Sequence, residues 1–196
     1  MVLKKTRTAL KKSVKPKKPP AIAERPGAWH LARTETERRL SDFEFRLERL
    51  TQAYYRWKAA CLAAVCDVPL TGDDVAVLNV VRMGDEPKRL SEVGQLLNRV
   101  DVPNLQYAAR KLVRAGLIET EGGSSRKETR YRASATGRSV TEAYAALRAA
   151  TLPPLLDSVD GWAAKSETAS LHLDLISSLY AQAAQVAITR RHQPVG

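Results

Sequence analysis

Cysteine is scarce: Cys61 and Cys66 are the two in 196 residues. They give no disulfide framework and fit a reducing compartment. Five apart on a helix, they point to different faces, which reads as buried free thiols; a redox switch would need an exposed, low-pKa thiolate. No stretch approaches ~18 consecutive apolar residues, so no helical membrane span is expected. The basic N-terminus has no apolar run behind it and is not a secretory signal, which leaves a cytoplasmic, nucleoid-associated protein as the expectation. Three histidines, His30, His172 and His192, stand far apart without cysteine or carboxylate partners at ligand spacing, so no metal site is expected. Glycine-rich phosphate loops, nucleophile elbows and paired-carboxylate motifs are missing too. No catalytic residue and no cofactor is assigned, and the chain does not read as an enzyme.

Acid is short wherever cations gather. The net charge is +11, and residues 1–18 hold eight lysines and arginines with no acid. Residues 88–138 hold eleven against five acids, and the remainder of the chain is mildly acidic. Positive potential concentrated on a tail and one mid-chain segment implies a polyanionic partner. Nothing amphipathic accompanies the tail lysines, which favours nucleic acid over a lipid surface.

Residues 1–28 mix lysines with Pro16, Pro19, Pro20 and Pro26. Such a composition cannot bury enough apolar surface to offset its ordering entropy, and a disordered basic arm is expected. Two roles stay open for it, solubility or a non-specific grip on phosphate. Thr34-x-x-Glu37 is a capping box that opens a helix over 34–66. Leu40, Phe43, Leu47, Leu50, Tyr54, Trp57, Cys61 and Ala64 form a heptad seam along it. A second striped helix closes the chain within 151–191, after Pro153, Pro154 and Gly161, with Ser166 as its expected cap. Leu175, Ile176, Leu179, Ala183 and Val186 make its stripe. Two long striped helices at opposite ends suggest one shared dimerisation base.

The middle, 68–148, has a different texture. Thr71-x-x-Asp74 starts a helix with Val75, Leu78, Val80 and Val81. Ser91 caps another with Val93, Leu96, Leu97 and Val100. Pro103 opens a third, with Leu105, Ala108, Ala109 and Leu112 on its apolar face, and Gly116 ends it. The alternating runs LIETE and TRYRASA flank a glycine-rich reversal at 122–125, and Ser134 caps a further helix. The order is helix, helix, helix, strand, charged turn, strand, helix.

The outward face of the 103–115 helix carries Asn104, Gln106, Tyr107, Arg110, Lys111 and Arg114, with no acid between Pro103 and Ile118. Carboxamides can pair bidentately with adenine, and cations hold guanine or phosphate. A short joint around Arg99-Val-Asp links it to the preceding helix, as a helix-turn-helix needs.

The segments LTGDDVAVLNVV, RLSEVGQLLNRVDVPNLQYAARKLVRAGLIE and RYRASATGRSV resemble the winged-helix regulators of the MarR (multiple antibiotic resistance regulator) family. That resemblance implies a mainly α fold with a small β-hairpin wing, the winged helix-turn-helix flanked by long N- and C-terminal dimerisation helices. It implies a homodimeric transcriptional regulator on a pseudo-palindromic site in double-stranded DNA. Asn104, Gln106 and Tyr107 would lie nearest the bases, and Arg110 and Lys111 on phosphate. Ser91 would offer backbone amides to phosphate, and Arg126 and Lys127 of the wing would reach the minor groove. Arg130 has two readings, a DNA contact or, like Arg132, a cross-strand partner of Glu119 and Glu121. The family's Asp-x-Arg at the wing is replaced here by Ser125 and Lys127. Family members often bind aromatic acids between dimer base and winged domain, so a small aromatic effector is expected beside Trp29 and Tyr55. The alternative is a nucleoid-type architectural protein, or a winged-helix adaptor for protein partners.

Overall fold

The computed structural model describes residues 30–122 and 128–190, and the chain divides into two compact units, 1–45 and 46–196. The expected basic arm, Trp29, Arg126 and Lys127 lie outside the described residues. Helix α1 (Glu35–Ala63) belongs to both units. Its start in the first unit is set by the expected capping box: the Thr34 amide donates to Glu37 Oε2 at 2.8 Å and the Glu37 amide to Thr34 Oγ1 at 3.2 Å. Glu35 next to it takes the guanidinium groups of Arg38 and Arg39.

The second unit holds the rest of α1 and a continuous series: α2 (Gly72–Arg82), β1 (Lys88–Arg89), α3 (Leu90–Leu96), α4 (Val102–Arg114), β2 (Ile118–Glu121), β3 (Arg130–Ala133), α5 (Ala135–Leu156) and α6 (Trp162–Arg190). The expected fold class is the one observed, mainly helical with a small sheet. That sheet has three antiparallel strands in the order β1-β3-β2, with Glu119 opposite Arg132 and Lys88 opposite Tyr131. The two-residue β1 is too short to leave a periodic signal, and the sequence reading did not contain it.

Helices α2 and α4 are set against each other by their apolar faces. Val77, Leu78 and Val81 join Val93, Leu105, Ala108, Ala109 and Leu112 in one buried cluster that Leu117 and Ile118 complete. A second cluster gathers Cys61, Leu62, Val75 and Tyr144. Helix α4 ends on a Schellman motif. Gly116 takes φ +68°, the Leu117 amide reaches back to the Leu112 carbonyl (3.0 Å), and the Gly116 amide bonds to Val113 (2.9 Å). Asn98, at φ +51°, ends α3 in the same way through Arg99 to Gly94 and Asn98 to Gln95. The stop puts Val100 beyond the helix at 94% exposed, while within the expected apolar set Val93 is buried, Leu97 packs on the core and Leu96 lies exposed.

Four boundaries differ from expectation. Helix α1 stops at Ala63 rather than residue 66. Helix α3 is capped at Arg89, whose amide donates to Glu92 Oε2 at 2.5 Å, so Ser91 sits inside the first turn. Glu92 decides this, because a carboxylate at the third helical position reaches back to the residue three before it. Helix α5 runs through Pro153 and Pro154 to Leu156. Helix α6 starts at Trp162, directly after Gly161 at φ +65°, not at Ser166.

The entry to α5 is the tightest approach between backbones. Ser134 Oγ accepts the Gly137 amide (2.9 Å) and donates to the Gly116 carbonyl (2.6 Å), while the Ser134 amide donates to Leu117 (3.1 Å). A Cβ on residue 137 would stand 1.8 Å from the Leu117 carbonyl oxygen. Gly137→Ala is therefore expected to lower stability by about 1–3 kcal/mol or more, the scale of overpacking, in a thermal melt followed by circular dichroism. An unchanged melting temperature would mean that strand and helix separate there at no cost.

Candidate nucleic-acid interface

Helix α4 advances by 100° per residue, so its four buried residues fix what its other faces present. Opposite Leu105, Ala108, Ala109 and Leu112 lie Tyr107, Arg110 and Arg114, with Gln106 on one flank. Tyr107 is 61% exposed, Arg110 and Arg114 are exposed, and Gln106 is half-buried. Pro103 sits in the first turn as expected, on a helix capped at Asp101. The ridge thus offers one phenol and two guanidinium groups, with the Gln106 carboxamide at its flank, and no acid between Pro103 and Ile118 dilutes its charge. Arg114 completes it, and spacing alone was enough to find it.

Asn104 and Lys111 sit on the flank of the helix, seven residues and almost two full turns apart. Both are occupied. Lys111 Nζ lies 2.7 Å from Asp74 Oδ2, and Asp74, 4% exposed, is the carboxylate that closes the capping box on Thr71. The expectation of Lys111 on the outward face is corrected: it is half-buried and tied to α2. Its partner lies 37 residues away, beyond the reach of any local pattern. Asn104 Nδ2 donates to Asp101 Oδ2 at 3.1 Å. Arg99 holds the same carboxylate through Nε (2.8 Å) and Nη2 (2.5 Å) and lies 3.5 Å from Asp73. The arginine keeps the Asp101 carboxyl far below the usual carboxylate range.

The wing cations divide. Arg126 and Lys127 lie outside the described residues. Arg132 pairs with Glu119 at 2.7 Å and reaches Glu121 at 3.6 Å, which is the cross-strand reading. Arg130 follows neither expected acid. Its guanidinium donates to the Pro87 carbonyl (3.0 Å) and lies 4.0 Å from Glu92, bracing β3 to the start of α3. Ser91 is exposed on the first turn of α3.

Tyr55, the second expected effector residue, is half-buried on α1. Burial, then the charge of neighbouring Asp73, raises its phenol above the ordinary value. Beside it sits a cation that no spacing in the chain marks out. Lys58 is 4% exposed, with Nζ over the rings of Tyr54 (4.6 Å) and Tyr55 (4.3 Å). A polar side chain between Trp57 and Ala59 carries no mark of burial until the fold is known. Cys61 is buried, which pushes its thiol up, and Cys66 is half-buried. Among the described residues, no group of three or more His, Cys, Asp or Glu is placed to hold a metal ion, and no helix is long and apolar enough to cross a membrane.

Residues 70–137 match the family of winged helix DNA-binding domains. None of the curated proteins matches the sequence. Among solved structures, reduced AbfR bound to DNA superposes with a TM-score of 0.62 at 17% identity, over 77% of this chain and 99% of that one. A MarR family transcriptional regulator from Streptomyces coelicolor gives 0.56 at 18%, over 71% and 95%. The regulator PcaV from the same organism, with its natural ligand, gives 0.52 at 18%, over 81% and 99%. The chain has the fold of these regulators, and its winged helix is the part that the family model matches.

Two substitutions check the electrostatics. Lys111→Met should cost about 1–3 kcal/mol by leaving the buried Asp74 carboxylate short of its cation, read as a melting temperature lowered by several degrees. Lys58 carries a pH signature. Burial lowers its pKa below 10.5, so between the folded and unfolded values the unfolded chain binds more protons and stability rises with pH. Wild type should therefore gain on Lys58→Met as the pH moves from neutral towards 10; a constant difference in melting temperature would mean that Lys58 is solvated.

Proposed function

We propose that this protein is a DNA-binding transcriptional regulator that acts as a homodimer on a pseudo-palindromic operator. The observation that carries the reading is the ridge of α4, a recognition helix whose acid-free outer face stands clear of the fold that holds it. Gln106, with Asn104 on the flank, reads base edges, and Arg110 and Arg114 hold phosphate or guanine. Lys111 and Arg130 are not among the phosphate contacts, since each is committed to a protein partner. Arg126 and Lys127 of the wing and Ser91 on the exposed first turn of α3 are proposed as further phosphate or groove contacts. The DNA-bound form of AbfR, a protein of the same fold, supports this assignment.

Dimerisation rests on exposed apolar surface. Helix α6 has 29 residues and none is buried. Leu171, Leu175, Leu179 and Val186 lie exposed on it, as do Leu50 and Tyr54 on α1. A monomer rarely leaves so much apolar surface to water, and such patches mark interfaces. A two-fold dimer sets its reading heads on half-sites roughly 10 bp apart. The effector proposed is a small aromatic acid near Tyr55. Supporting it is Lys58, whose ammonium faces two aromatic rings, and PcaV, solved with its natural ligand.

The test is fluorescence anisotropy against the gene's own upstream DNA and a scrambled duplex, across a salt series. Native DNA should bind about a thousandfold tighter, near the lower end for specific binders. Arg110→Ala and Arg114→Ala should each reduce the salt slope by about one, while Lys111→Met leaves it unchanged. Equal binding to both duplexes would sink the operator and favour an architectural role; no binding would move the winged helix to protein partners. In sedimentation equilibrium the chain should be a dimer, and Leu179→Glu a monomer.

A further inference from the structure

We infer that Arg99 is a positioning residue for base recognition: through Asp101 it fixes which way the Asn104 carboxamide faces. The inference rests on the operator-binding reading above and names a residue that reading does not require.

A carboxamide is nearly symmetric in shape and opposite in chemistry at its two ends. Adenine offers N7 as acceptor and N6 as donor in the major groove, so an asparagine pairs with it in one orientation only. Turned over, donor meets donor and acceptor meets acceptor. An exposed asparagine left to itself samples both orientations and must give up that freedom when it binds. Asn104 is not left to itself. Its Nδ2 donates to Asp101 Oδ2 at 3.1 Å, and a carboxylate accepts but cannot donate. The bond therefore selects the orientation in which nitrogen lies towards Asp101, leaving the second Nδ2 hydrogen and Oδ1 for a base. Asp101 stays ionised throughout the working range, since Arg99 holds its carboxyl far down.

Asp101 would be a poor anchor alone, because its carboxylate can rotate and its charge repels approaching phosphate. Arg99 removes both faults. Two of its nitrogens grip the two carboxylate oxygens, Nε to Oδ1 at 2.8 Å and Nη2 to Oδ2 at 2.5 Å. This planar fork fixes the carboxylate plane in a way an ammonium cannot. The third nitrogen, Nη1, is buried without a hydrogen-bond partner and lies 3.5 Å from Asp73 on α2. The guanidinium is thus wedged between two carboxylates, one at the base of α2 and one at the cap of α4. Asp73 in turn stands beside Tyr55 of α1. The reader on α4 is therefore referenced to the body of the fold through Arg99, and not only through its own helix.

The experiment is selection of bound duplexes from a randomised pool, read by sequencing, for wild type, Asn104→Ala, Arg99→Lys, Asp101→Asn and the double variant Arg99→Lys/Asn104→Ala. Affinity for bulk DNA is measured beside it, and circular dichroism confirms folding. Asn104→Ala should flatten preference at one position of each half-site. Arg99→Lys keeps the charge and loses the fork, so it should flatten that same position, the ratio of best to next base falling roughly tenfold. Its bulk-DNA affinity should change less than about threefold. Asp101→Asn should do likewise by removing the obligate acceptor, and it decides the matter if Arg99→Lys fails to fold. The double variant should be no flatter than Asn104→Ala. The inference is overturned if Arg99→Lys and Asp101→Asn keep the wild-type preference at the position that Asn104→Ala flattens, if they weaken all sequences alike, or if Asn104→Ala flattens none. A wild type without any preference would overturn the operator reading itself.

Discussion

The buried carboxylate of Asp74 is the point from which the geometry of the second unit is set. It accepts the Thr71 amide at 2.9 Å and the Thr71 hydroxyl at 3.0 Å, which starts α2, and the ammonium of Lys111 at 2.7 Å, which ties α4 to that start. One acid thus serves a local and a distant purpose. A buried ion pair adds little net stability, since desolvation offsets most of the attraction. It does, however, charge a full penalty to any arrangement that separates the partners. The apolar stripe of α4 already fixes which residues face outward, since a shift of one residue would turn it by 100°. The Lys111 contact adds a directional penalty against any such shift.

Charge on α4 is sorted by this arrangement. The core-side cation Lys111 is spent on Asp74 of α2, whereas Arg110 and Arg114 on the ridge find no acid on their own helix. The same sorting holds on the sheet, where Arg130 and Arg132 are committed to Pro87, Glu92, Glu119 and Glu121. A cation already neutralised by a carboxylate has little to offer a phosphate. Counting basic residues along 88–138 thus overstates the usable charge, and the ridge residues Arg110 and Arg114 carry more of it than the total suggests.

What the sequence disclosed follows from range. The boxes at Thr34 and Thr71, the glycine stop at 116 and the serine cap at 134 depend on groups within four residues, and each stands where spacing put it. The Arg89 cap shows the limit of that method. Ser91 and Arg89 both precede the apolar run, and only the reach of Glu92 separates them. Pro153 and Pro154 read as a break, yet the helix continues past them to Leu156, forgoing the two backbone bonds their missing amides would have made. Lys111 with Asp74 and the buried Lys58 needed the tertiary fold, because neither partner choice nor burial of a lysine leaves any period in the chain. The seam on α1 was legible as a pattern, but Leu40, Leu50 and Tyr54 lie exposed, and a pattern cannot say which surface will cover it.

Two routes lead from the long helices to the helix-turn-helix, and their sizes differ. Helix α6 reaches it through an exposed hydrogen bond of 3.0 Å from Asn98 Nδ2 to Ser177 Oγ. Such a bond is worth about 1 kcal/mol net at most, and water replaces it readily. From α1 the route passes through Tyr55, Asp73, Arg99 and Asp101: Arg99 makes two charge-assisted hydrogen bonds to Asp101, and its Nη1, shut off from solvent without a hydrogen-bond partner, lies 3.5 Å from Asp73. Charge-assisted bonds are roughly twice as strong as neutral ones. The base reading proposed for α4 is therefore tied to the fold more firmly through Arg99 and Asp101, on the α1 side, than through the exposed bond to α6.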